Sequence, residues 1–176
     1  MKPKLILLYG FAGIGKSTLS RMYIDKHPLT LLIEGDLFID TIGCSREHYA
    51  TARKLVFAYN LALCRAQLSA GYDVIIPYLL VYKDQPDQFM YAAKDYGAEF
   101  VEAYIEVDKV IAINRLKARG SWGEKNSPKL DEKELIHATE LFDKMAKHMK
   151  THKTRIVKFH EDNIEKTYQC LEAIIG

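Results

Sequence analysis

The 176 residues carry 25 lysines and arginines against 23 aspartates and glutamates, a net charge of +2. That balance argues against a dedicated nucleic-acid binder, which would be more basic, without excluding nucleic acid as a partner. Hydrophobic residues at 48% and charged residues at 27% exclude a disordered chain and fit one soluble domain with a real core.

The first predicted element is a strand, the apolar run Lys4–Tyr9. It feeds Gly10-Phe11-Ala12-Gly13-Ile14-Gly15-Lys16-Ser17-Thr18, and a helix is predicted from about Gly15 to Lys26. The pattern G-x-x-x-x-G-K-S between a strand and a helix is a phosphate-binding loop. Its glycines allow backbone conformations and close approaches that a Cβ would block. Its amides turn inward on a phosphate, and the helix adds free N–H groups and a positive dipole end. Gly10, Ala12, Gly13, Ile14, Gly15, Lys16, Ser17 and Thr18 are therefore the predicted nucleotide-binding residues. Lys16 is expected at the β- and γ-phosphates, and Ser17 on Mg²⁺.

Pro28 breaks the chain, and Leu29–Glu34 reads as the second strand, followed by Gly35-Asp36. Ser45 is expected to cap a long helix from Arg46 to about Ala70, with Gly71 at its C-terminal cap. Asp73–Ile76 is the third predicted strand, broken by Pro77. A helix follows from about Gln85 to Tyr96, ended by Gly97, then a fourth strand over Glu99–Val107. Asp108 is expected to cap a helix ending at Arg119-Gly120, before a polar loop, Ser121–Lys129. Asp131 with Glu134 resembles a capping box opening a helix to about Lys150. Thr154–Phe159 is the fifth strand, His160–Asn163 a turn, and a last helix ends near Ile175.

Strands alternating with helices predict an α/β fold: a three-layer, doubly wound, parallel five-stranded sheet of the P-loop kind. The expectation is a single domain over 1–176, with a mobile lid at about 120–130. Ligands in such folds lie at the carboxyl ends of strands. After the second strand, Glu34 suits the outer shell of Mg²⁺, and Asp36 suits orienting and deprotonating an acceptor hydroxyl. After the third, no carboxylate follows Ile76, so a second metal anchor is missing there and the duty shifts to Glu34 or Asp36. Tyr78 and Tyr82 suit a substrate pocket or plain packing. Arg115 and Arg119, four apart on one helix face before the loop, suit transition-state stabilisation by a closing lid, with Lys125 assisting. Trp122 suits a substrate platform or a lid anchor.

On the long helix after Asp36, Arg53 and Asn60 share a face and are candidates to reach the acceptor, as against a salt-bridged surface. His160-Glu161-Asp162-Asn163 is either an adenine-wrapping turn or a helix cap. His148 and His152 are read as solvated, without a carboxylate partner. Cys44, Cys64 and Cys170 form no C-x-x-C pair and read as reduced thiols. No run approaches membrane-spanning length, so a cytoplasmic location and no membrane partner are expected.

These residues resemble the small P-loop kinases of the nucleoside-monophosphate-kinase-like class. The branch is the one with polynucleotide 5′-kinases, chloramphenicol phosphotransferase, zeta toxins and tunicamycin-resistance-type proteins. The resemblance rests on Gly10–Thr18, Glu34-Gly35-Asp36, Ala93-Lys94-Asp95-Tyr96-Gly97 and Asn114–Gly120. Val74-Ile75-Ile76-Pro77 is similar to the proline-ended strand of the tunicamycin-resistance type. The resemblance implies an acceptor-side aspartate, matching Asp36, and lid arginines, matching Arg115 and Arg119. It implies an ATP- and Mg²⁺-dependent kinase acting on a hydroxyl of a small molecule. The alternatives are a polynucleotide 5′-hydroxyl kinase and a non-enzymatic ATP-binding switch.

Overall fold

Five parallel strands lie in one sheet in the order β2-β3-β1-β4-β5, flanked by helices, in a computed structural model that describes residues 2–79, 85–120, 129–152 and 154–176. The strands are β1 (Lys4–Tyr9), β2 (Leu31–Leu32), β3 (Val74–Tyr78), β4 (Glu99–Glu106) and β5 (Arg155–Lys158). The helices are α1 (Lys16–Lys26), α2 (Gly35–Ile39), α3 (Tyr49–Ser69), α4 (Gln85–Asp95), α5 (Lys109–Arg119), α6 (Glu132–Thr151) and α7 (Ile164–Ile175). The central β1 buries Leu5 to Leu8 completely, as a strand covered on both faces must.

The chain forms two compact units. One takes in Met1–Leu7, Ser20–Pro77 and Tyr82–Val101, the other Leu8–Leu19, Tyr78–Val81 and Glu102–Gly176. In the first unit α3 packs on α4, with Phe57 edge-on to Phe89 at 5.4 Å. Asp73, just ahead of β3, accepts from the Lys4 amide at 2.8 Å, so its carboxylate serves the start of β1. In the second unit α5 packs on α6, and Lys109 bridges to Asp143 at 2.7 Å. Phe11 meets Phe142 of α6 edge-on at 5.2 Å, a pairing worth about 0.5–1.5 kcal/mol beyond its buried area.

The second strand is shorter than its apolar run predicts. Leu29 has φ of +67° and is 65% exposed, because the chain is still turning out of α1. The ladder then runs from Leu31 N–H to the Asp73 carbonyl and from Ile33 N–H to the Ile75 carbonyl. In a parallel ladder the next donor to this edge would be the amide of residue 77. Pro77 has none, so the pairing stops and the chain turns into α2 at Glu34. Pro77 does not break its own strand, contrary to the expectation, since β3 continues to Tyr78.

The long helix also starts later than predicted. Ser45 is buried in a turn and is not its cap. Cys44 has φ of +52°, and both Glu47 and His48 amides bond its carbonyl. The first helical bond therefore runs from Ala52 N–H to the His48 carbonyl. Two predicted caps hold: Asp108 accepts from Val110 and Ile111, and Asp131 and Glu134 form a reciprocal capping box.

Candidate phosphate site and acceptor-side residues

The second unit holds the glycine-rich loop. Gly13 has φ of +78° and Gly15 of +94°, conformations that favour glycine. A Cβ on Gly10 would come within 2.5 Å of the Ile14 Cδ1, and Ile14 is fully buried, so this position needs glycine for space. Phe11 and Ile14 of the loop are both buried and anchor it to the core. Lys16 begins α1 and donates from Nζ to the Phe11 carbonyl at 2.7 Å, which lays the ammonium across the loop. Ser17 and Thr18 follow on the first turn, and the Ser17 hydroxyl has no hydrogen bond among the described residues.

Arg115 reaches the same loop from α5. Its Nε donates to the Gly13 carbonyl at 3.2 Å, and its guanidinium lies 5.4 Å from the Phe159 ring centroid. The predicted lid arginine is thus a strut on the phosphate loop itself. Arg119, one turn on, is exposed and makes no hydrogen bond or ion pair among the described residues. Most of the predicted lid, with Trp122 and Lys125, lies outside the described residues, as does Tyr82. Lys16, Arg115 and the start of α1 meet at this loop, a set of donors suited to a polyphosphate.

Tyr78 packs edge-on against Tyr9 at 5.8 Å. The Tyr9 hydroxyl donates to Glu102 at 2.6 Å, and the His152 ring nitrogen lies 3.1 Å from the same carboxylate. His152 therefore has the carboxylate partner that the sequence did not show. It also stacks on His148, with ring centroids 5.2 Å apart. In the turn after β5, Asn163 caps α7 by accepting from the Lys166 amide.

The first unit holds the acceptor-side candidates. Glu34 is salt-bridged to Arg21, so one cation already compensates it. Asp36 stands in the first turn of α2, exposed, with no partner among the described residues. Arg53 is half-buried on α3 and donates to the Tyr49 hydroxyl at 3.3 Å. Asn60 is buried at 7% exposure, and its Oδ1 has no hydrogen-bond partner among the described residues. A surface depression of about 470 Å³ lies beside Asp40, Ile42, Cys44 and Arg46.

Sequence reasoning missed the anchoring of Arg115 on Gly13 and Phe159, and the Arg21 partner of Glu34. A signal for the first was present: Arg115 lies beside Ala112 and Leu116, the buried residues of α5.

Mg²⁺ fits the residues present only in part. Among the described residues no three His, Cys, Asp or Glu side chains converge. The Ser17 hydroxyl at the loop, without a hydrogen bond among the described residues, suits an ion that takes most of its ligands from phosphates and water.

The sequence matches the AAA domain family over residues 5–145. No curated protein matches it in sequence. A gluconokinase from Sinorhizobium meliloti is similar in structure with a TM-score of 0.60 at 14% identity, over 97% of this chain and 93% of that one. A chain of the Pnkp1/Rnl/Hen1 RNA repair complex gives 0.60 at 19% identity, over 84% of this chain and 46% of that one. The tunicamycin resistance protein of Deinococcus radiodurans gives 0.50 at 14% identity, over 81% of each chain. At these identities the likeness is one of fold. The parallel sheet and the glycine-rich loop at the head of α1 agree with the family match over most of the sequence, and the chain belongs to the AAA domain family as a P-loop kinase-like domain.

Proposed function

We propose that this protein is an ATP-dependent kinase that transfers the γ-phosphoryl group to a hydroxyl of a small-molecule acceptor. The observation that supports it best is the loop from Gly10 to Thr18, with Lys16 laid across it and Arg115 fixed to its Gly13 carbonyl. Lys16 and the loop amides hold the β- and γ-phosphates. Ser17 would hold Mg²⁺, with Glu34 in its outer shell in exchange for part of its bond to Arg21. When bound, the ion supplies charge neutralisation between the β- and γ-phosphates.

In the transfer, the acceptor oxygen forms a bond to the γ-phosphorus as the bond to the β–γ bridging oxygen breaks, and ADP leaves. The acceptor proton passes to the Asp36 carboxylate, which is exposed and has no partner among the described residues. Arg115 keeps the loop in shape, and Arg119 stabilises the negative charge on the transferring group. Arg53 and Tyr78 contribute to acceptor binding.

A transfer screen with γ-labelled ATP against pooled nucleosides, sugars, antibiotics and 5′-hydroxyl oligonucleotides tests this reading. Label on a small molecule is the expected outcome. Label only on oligonucleotides, or on nothing, would overturn it.

A further inference from the structure

We propose that the Asn60 carboxamide selects polyhydroxyl acceptors, by binding a second hydroxyl of the molecule whose first hydroxyl Asp36 orients. The proposal rests on the kinase reading above and gives it a substrate class.

Asn60 lies on α3 with only 7% of its surface exposed. Its Oδ1 is buried without a hydrogen-bond partner, and its Nδ2 makes no hydrogen bond among the described residues. A buried carbonyl oxygen left unpaired opposes folding, and an apolar residue of similar size would avoid that cost. Packing therefore does not account for an asparagine here.

Its neighbour points to a ligand. A Cβ on Gly35 would come within 2.8 Å of the Asn60 Nδ2 and 3.5 Å of the Val56 Cγ1. The carboxamide thus occupies the space that the missing side chain of Gly35 leaves. Gly35 immediately precedes Asp36, and both lie in the first turn of α2. An uncharged group with a donor end and an acceptor end is set against the residue adjoining the candidate base.

The chemistry of that group defines what it takes. A carboxamide is neutral, so it gives no charge-based preference for phosphate, carboxylate or ammonium. A hydroxyl both donates and accepts, so it satisfies either end of the amide, whichever way the side chain is turned. An acceptor with hydroxyls on neighbouring carbons can give one to Asp36 and another to Asn60. An acceptor with a lone hydroxyl leaves the amide unpaired and is discriminated against.

The test uses wild-type protein and Asn60→Leu, with ribose, glucose, adenosine and 1-propanol as probes. For wild-type, at least one polyhydroxyl probe raises Tm and accepts phosphate, and 1-propanol does neither. For Asn60→Leu, KM for that probe rises by about 10-fold or more, the probe's Tm shift is lost, and ATP affinity is unchanged. The ligand-free variant is at least as stable as wild-type, because an unpaired polar group has been replaced by an apolar one. An unchanged KM or an undiminished Tm shift in Asn60→Leu would overturn the proposal, as would a ligand-free Tm well below wild-type or a wild-type protein that no polyhydroxyl probe stabilises. If wild-type transfers phosphate to no probe, but ribose, glucose or adenosine stabilises it and not the variant, the kinase reading fails and the Asn60 site stands.

Discussion

Arg115 Nε donates to the Gly13 carbonyl at 3.2 Å, across 102 residues of sequence. The bond ties α5 to the left-handed turn of the phosphate loop, where Gly13 holds φ of +78°. Phe159, just after β5, backs the guanidinium. One side chain therefore couples the loop's shape to two other elements of its unit. Arg115→Ala is expected to weaken ATP binding by about 10-fold, the weight of one charged hydrogen bond. Arg115→Lys should restore only part, since an ammonium cannot reproduce the planar contact. Calorimetric titration with ATP reads both, and an unchanged Kd in Arg115→Ala would remove Arg115 from nucleotide binding.

Lys16 and Asp36 act on different halves of the reaction, so their variants should separate. Lys16→Ala should lose both ATP binding and transfer. Asp36→Asn should keep the ATP Kd and lower kcat by about 10²–10⁴-fold, the usual weight of a general base. Steady-state kinetics on an acceptor from the screen checks this. Full kcat in Asp36→Asn would exclude a proton-accepting role.

Asp108 holds the N-terminus of α5 by accepting from Val110 N–H at 2.8 Å and Ile111 N–H at 3.4 Å. Asp108→Ala should cost about 1 kcal/mol. In a chain of this length that is a fall in Tm of about 2–4 °C, readable by thermal denaturation. Asp108→Asn should lose much less, because its carbonyl oxygen caps nearly as well.

Cys44 and Cys64 should differ in reactivity. Burial pushes the Cys64 thiol from 9.0 up to about 12, whereas Cys44 is exposed. At pH 8, iodoacetamide should modify Cys44 readily and Cys64 only after denaturant is added. Ionisation of Cys64 is easier in the unfolded chain than in the folded one. Its contribution to stability is therefore complete below pH 9.0 and is lost as pH rises through about 12. Rapid labelling of Cys64 in the native protein, read by peptide mass spectrometry, would contradict this.

The phosphate loop was legible because its signal is local. Gly10, Gly13, Gly15, Lys16 and Ser17 need their fixed spacing to close a loop at the head of a helix, and that spacing is written in consecutive residues. The caps at Asp108 and Asp131 were legible for the same reason, each being satisfied within three residues. The parallel fold followed from the alternation of apolar runs with helical periods.

Tertiary structure decided the rest. The apolar run from Leu29 to Glu34 does not say where pairing stops; the missing amide of Pro77, on the neighbouring strand, accounts for that. His152 meets Glu102, and Arg115 meets Gly13, across separations for which helical spacing carries no information. The sequence made Asn60, with Arg53, a candidate to reach an acceptor, but only packing beside Gly35 shows its Oδ1 buried with no hydrogen-bond partner among the described residues. The sequence by itself determined the phosphate loop and the parallel α/β fold that presents it. The folded chain decided which side chain braces that loop and which polar group lies against Gly35, because those contacts join residues whose proximity exists only after the chain has folded.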